Sequence, residues 1–227
     1  METVIGVRKP FDYHRLGAMS GVIIALFWPF LFIHGSHDLT DIRVIVRTIC
    51  ADWGVVLLLA LIAFGALGRR PSGFGIRMFH GRDALAMLAA SAGLFLLAGA
   101  VRWYFSIPSS GEYLRKLGEL PLLLRAGLVL TAGITEEFMY RGFALEELAA
   151  LMGKRRLAAV VSVVCFTAAH SARVGFSPTL LLVGCAGAVL TILYLWRRNL
   201  PVCMLMHVIV DGIGLIVVPA VYGARGG

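Results

Sequence analysis

Seven apolar stretches, at residues 16–34, 50–68, 84–105, 122 to about 149, 157–171, 178–196 and 200–222, alternate with short polar and basic connections. A helix crosses the hydrocarbon core of a bilayer with about 20 mostly apolar residues. Backbone groups inside lipid find partners only within a helix or a closed barrel, and no period-two alternation marks barrel strands. The pattern therefore predicts an all-α polytopic transmembrane helix bundle of about seven spans, within a range of six to eight. Residues 1–227 read as a single integral membrane domain, and the fifth stretch is the shortest.

Composition strengthens this reading. Hydrophobic residues make up 59% of the chain, charged residues 15%, and mean hydropathy is +0.85, outside the range of soluble domains. The net charge of +8 is carried by loop arginines and lysines rather than by a basic stripe with interleaved aromatics, so nucleic acid is not an expected partner. With the N-terminus inside, twelve Lys and Arg fall in inner loops and seven in outer ones, which orients the chain N-in. The basic leader METVIGVRKPFDYHR is followed by no cleavage-type signal, so Leu16–His34 reads as a retained helix. A compact chain of this kind is expected in a bacterial inner (cell) membrane, with a lipid bilayer around it and its oligomeric state left open.

Cys50, Cys165, Cys185 and Cys203 have no CxxC spacing and read as packing residues. Trp28, Trp53, Trp103, Tyr104, Tyr194, Trp196 and Tyr222 fall near stretch ends, as interfacial anchors would. Ala89 with Gly93, and Gly184 with Ala188, are small residues at the four-residue spacing of close helix contacts. The loop HGSHDLTD contains His34, His37, Asp38 and Asp41 and reads as hydrated surface rather than a metal site.

Six ionisable residues inside the stretches stand out: Glu136, Glu137 and Arg141 in the fourth, His170 in the fifth, His207 and Asp211 in the seventh. Arg125, near the start of the fourth, can snorkel. A charge at the bilayer centre costs about 3 kcal/mol, so such residues are functional candidates. At a rise of 1.5 Å per residue, Glu136 lies roughly 21 Å from the cytoplasmic end, His170 roughly 20 Å, Asp211 roughly 16 Å and His207 roughly 10 Å. The fourth helix is expected to continue to about Ala150, with Glu146 and Glu147 facing polar surroundings.

Glu137 and Arg141 are an i, i+4 pair in the favourable order, which leaves Glu136 free for another task. His207 and Asp211 are also i, i+4, and the acid can fix the imidazole tautomer or act beside it as a ligand. Two imidazoles and two or three carboxylates in a partly wet cavity can bind a divalent metal or activate water directly.

On Glu136-Glu137-xxx-Arg141, Phe166-xxx-His170 and His207-xxx-Asp211, in that order, the chain resembles the CAAX protease and bacteriocin-processing family of intramembrane endopeptidases, which includes the type II CAAX prenyl proteases. The resemblance covers residues 120–215, the expected catalytic core. It implies an intramembrane endopeptidase that hydrolyses peptide bonds of a membrane-associated protein or peptide. Glu136 and His170 would activate the attacking water, and His207 with Asp211 would support the carbonyl oxygen or a metal. Glu137 and Arg141 would shape the site, and Phe166 would pack beside it. The enzyme would be glutamate-type or metal-dependent. In the second case Glu136, His170, His207 and Asp211 would hold a divalent ion such as zinc, and otherwise there is no cofactor. Asp211 departs from the Asn common at this position in prenyl proteases. The competing readings are a proton-coupled membrane transporter, a two-histidine haem protein and a non-catalytic family scaffold.

Overall fold

The computed structural model describes residues 12–32, 38–107 and 111–225. It is all-helical, with no strand among the described residues. We number the helices α1 Tyr13–Phe27, α2 Ile42–Ala66, α3 Gly81–Tyr104, α4 Gly111–Glu119, α5 Leu122–Met152, α6 Arg155–Val174 and α7 Pro178–Arg197. The last, α8, begins as Leu200–Gly212 and runs through a π-helical stretch, Ile213–Val217, into Val218–Arg225.

Local chemistry sets the boundaries. The side chain of Asp41 accepts the backbone N–H of Arg43 at 2.8 Å and caps α2, and that bond holds its carboxyl below the usual range. Proline stands in the first turn of α7 and of α8, where its missing N–H costs nothing. Gly153 closes α5 with φ of +66°, in the left-handed region.

Among the described residues five helices are long and apolar enough to cross a membrane, and a sixth follows if α4 and α5, bent by 109°, form one broken span. This is an integral membrane protein. The first apolar stretch is the one that falls short of seven, because α1 has 15 residues before the chain tightens into a 3-10 turn, Trp28–Phe32, at Pro29. Two other boundaries also move. The second helix starts at Ile42, eight residues before the expected 50, because Arg43 and Arg47 interrupt the apolar run without breaking the helix. The fifth apolar stretch is a full 20-residue helix, α6.

Helix α5 is the spine, and it packs most extensively against α8. A Cβ on Gly133 of α5 would sit 2.9 Å from the backbone N of Val208 in α8, and one on Gly187 of α7 would sit 2.8 Å from the Phe166 ring. These are the close approaches that bring α8 and α7 onto the site, as small residues do in membrane bundles. Gly184 also approaches α6, at 3.4 Å from Thr167, whereas Gly93 faces open space, contrary to the small-residue expectation for α3.

Some aromatic and charged assignments change. Trp103, Tyr104 and Trp196 are exposed as anchors are, but Tyr194 is buried and donates to Glu146, and Trp28 donates to Asp52 inside the bundle. The side chain of Tyr222 lies outside the described residues. Arg125 is buried and donates to the carbonyl of Leu215 in α8, so it does not snorkel. All four cysteines are free. Asp38 accepts the N–H and hydroxyl of Thr40 in a turn, while His34 and His37 lie outside the described residues.

Candidate active site

All six sequence-selected ionisable residues converge. Glu136 Oε2 lies 3.7 Å from His170 Nε2, linking α5 to α6. Glu137 Oε1 accepts from Arg141 Nη1 at 2.7 Å and from His207 Nδ1 at 2.9 Å, linking α5 to α8. His207 Nε2 in turn faces Asp211 Oδ2 at 3.6 Å.

Glu137 and Arg141 are sealed, with side chains 0% exposed, whereas Glu136 and Asp211 keep 16% and 30% of theirs accessible. The first pair is therefore a buried brace and the second two acids reach open space. Arg141 also donates to the carbonyl of Gly187 at 2.9 Å and to Thr191 Oγ1 at 3.2 Å, and lies 4.4 Å from the centre of the Phe166 ring. Two further donors are thereby tied to α7, beside the charge pairing with Glu137. Glu136 accepts no hydrogen bond from the described residues, and its Oε2 is buried.

The tautomer of His170 follows from one contact. Its Nδ1 lies 2.8 Å from the carbonyl oxygen of Phe166, and a carbonyl only accepts, so Nδ1 carries the hydrogen. In the neutral ring Nε2 is then a lone-pair acceptor, turned toward the Glu136 carboxylate. Phe166 supports this imidazole, with ring centres 4.7 Å apart, and reaches the His207 ring at 6.4 Å.

Helix α5 is π-helical from Phe138 to Ala144, beginning one residue after Glu137, and α8 becomes π-helical at Ile213, two residues after Asp211. Such wide turns concentrate at functional sites, where they re-aim side chains. Nothing in the apolar pattern announces them.

The site opens into a cavity of about 420 Å³ lined by Glu136, His170, His207 and Asp211. Sequence reasoning missed Asp52, Tyr140 and Arg173, which line it too. Asp52 accepts from Trp28 Nε1 at 3.3 Å. Setting the start of the second helix at 50 had made Asp52 a boundary residue. With the helix beginning at Ile42, it lies about 15 Å along it.

The described residues contain no group of three or more His, Cys, Asp and Glu side chains placed to hold a metal ion. His207 Nδ1 is engaged by Glu137, and the remaining donors stand as two separate pairs, Glu136 with His170 and His207 with Asp211. This arrangement does not fit the four-ligand zinc site that the resemblance had left open.

Comparison with known proteins gives one family. Residues 118–213 match the model of that family, described as type II CAAX prenyl endopeptidase Rce1-like. No curated protein matches the chain, and no solved structure does.

Proposed function

Through residues 118–213 the chain belongs to the Rce1-like family of type II CAAX prenyl endopeptidases, and on that premise we propose that it is an intramembrane endopeptidase in which Glu136 and His170 activate water. The observation that supports this most is the 3.7 Å approach of Glu136 Oε2 to His170 Nε2. A carboxylate and the lone pair of a neutral imidazole repel each other unless a hydrogen-bond donor lies between them. Water, with two hydrogens, can donate to His170 Nε2 and to the accessible edge of the Glu136 carboxyl, which keeps 16% of its side chain exposed while Oε2 itself is closed off.

In the proposed reaction Glu136 takes one proton from that water while His170 orients it through Nε2. The hydroxide oxygen bonds to the scissile carbonyl carbon, and the C=O π electrons move to oxygen. On collapse the C–N bond breaks, and the leaving nitrogen receives the proton held by Glu136, which restores the carboxylate. His207, anchored through Nδ1 to Glu137, presents its other nitrogen beside Asp211 to the tetrahedral centre. Glu137 and Arg141 act as positioning residues, and no step requires a metal.

The substrate class is a membrane-associated peptide or protein, with or without a prenyl group. The charge balance of the loops supports a cytoplasmic N-terminus, in a bacterial inner membrane.

Mass spectrometry of membrane peptides from cells with wild-type protein or Glu136→Gln tests the assignment. Peptides produced only by the wild type are expected, with the variant inserted at equal level. Equal cleavage by Glu136→Gln would remove Glu136 from the mechanism.

A further inference from the structure

Tyr140 stands one helical turn after Glu136 on the same face of α5, and its ring is fixed. It meets Phe166 edge-on at 5.2 Å and 86°, the residue is 1% exposed, and its backbone carbonyl accepts from Ser162 Oγ at 2.8 Å. The phenolic oxygen is buried and has no hydrogen-bond partner among the described residues.

An unsatisfied buried hydroxyl costs about 1–3 kcal/mol, and packing alone gives no reason to keep it. Phe138 and Phe143, on the same helix, fill comparable buried positions without a hydroxyl. Buried polar groups left without partners in a folded protein call for an explanation outside stability.

The cavity supplies that explanation. Tyr140 lines it together with Glu136, Asp52, His170 and Asp211. Glu136 and Asp52 are the acids whose charge acts on its hydroxyl. Three of these neighbours carry carboxyl groups and His170 in its neutral form presents a lone pair, while Arg47 and Arg173 are the cationic members of the same lining. A scissile carbonyl oxygen is also an acceptor, and it gains negative charge as the tetrahedral intermediate forms. His207 Nδ1 is bonded to Glu137 at 2.9 Å and its Nε2 stands 3.6 Å from Asp211, whereas the O–H of Tyr140 is uncommitted among the described residues.

We propose that Tyr140 is a catalytic residue whose O–H donates to the scissile carbonyl oxygen and to the oxyanion it becomes. This rests on the endopeptidase reading above and adds a donor to the same site. The proton stays on the phenol throughout. As C=O becomes C–O⁻ the hydrogen bond strengthens, and that difference lowers the barrier.

The test uses a peptide that the wild type cleaves, identified as above, and its phosphinic acid analogue as a mimic of the tetrahedral centre. Tyr140→Phe keeps the ring and removes the donor. The expected result is a fall in kcat of about 10²–10³-fold, as for loss of one oxyanion donor, with KM within about two-fold. Affinity for the analogue should fall in step with kcat while affinity for uncleaved peptide holds. An unchanged kcat overturns the proposal, and so does a loss confined to KM or to thermal stability.

If Tyr140→Phe does not accumulate, trifluorotyrosine at position 140 lowers the phenol pKa. Affinity for the phosphinic analogue then changes if the O–H is the donor and holds if it is not. Glu136→Gln in parallel keeps the two ideas apart. Full cleavage by that variant defeats the water-activation assignment, whereas full cleavage by Tyr140→Phe defeats only the donor.

Discussion

Helix α5 carries the dipeptide Glu-Glu twice, as Glu136-Glu137 and, ten residues later, as Glu146-Glu147. In the later pair every acid is saturated. Glu146 accepts from Arg155, Arg198 and the Tyr194 hydroxyl, and Glu147 is gripped by Arg69 through two bonds of 2.9 Å. Arg69 and Arg198, both outside the spans, hold their protons more firmly chiefly because of these bonds. In the earlier pair only Glu137 is braced. The same two residues thus tie down one end of the bundle and line a cavity within it. The difference lies in direct ion pairing: connections at the end of α5 bring several arginines onto Glu146 and Glu147, while among the described residues Arg141 is the one arginine that pairs with Glu136 or Glu137.

The largest effects fall on the unsaturated acid. Glu136→Gln is expected to lower cleavage by about 10²–10⁴-fold, the usual worth of a general base, with an unchanged melting temperature. Glu146→Gln, assayed alongside, should leave the rate within about two-fold, since its partners lie away from the cavity. If both variants were equally inactive, the contrast between a chemical and a structural acid pair would collapse.

Much of that contrast was legible in the sequence. Spacing alone paired Glu137 with Arg141 and His207 with Asp211, because i, i+4 neighbours on a helix must meet. Depth counted along separate helices brought Glu136 and His170 together, and they stand 3.7 Å apart. The 10 Å offset estimated for His207 did not keep it from Glu137, because a rise per residue ignores tilt and the wide turns after Glu137 and Asp211. Asp52 and Tyr140 stayed hidden for different reasons. The arginines before Asp52 set the apparent span boundary at the wrong place, and a tyrosine in an apolar run gives no sign that its hydroxyl lacks a partner among the described residues.

The brace is the next place to press. Arg141→Met should cost about 3–5 kcal/mol of stability, because Glu137 is left charged and buried, read as loss of folded protein in a detergent melt. Glu147→Gln removes a pairing whose arginine side chain is 46% exposed. The loss there should stay below about 2 kcal/mol, since solvent screens the partner. Equal losses at both positions would mean that burial does not distinguish the two acid pairs.

The smallest change is expected at Asp211, and it bears on what the open acids do. Asp211 Oδ2 sits 3.6 Å from His207 Nε2 with 30% of the side chain accessible. If its task is to accept from the imidazole and hold its orientation, the amide oxygen of Asn serves nearly as well. Asp211→Asn should then change kcat by less than about ten-fold, and chelation with EDTA should leave both proteins at their starting rates. A metal ligand behaves differently, because Asn binds a divalent ion more weakly than a carboxylate does. In that case EDTA would silence the wild type, zinc would restore it, and the variant would need more zinc for the same recovery. That pattern would require the His207–Asp211 and Glu136–His170 pairs to close around one ion, and the open acids would then be ligands rather than bases.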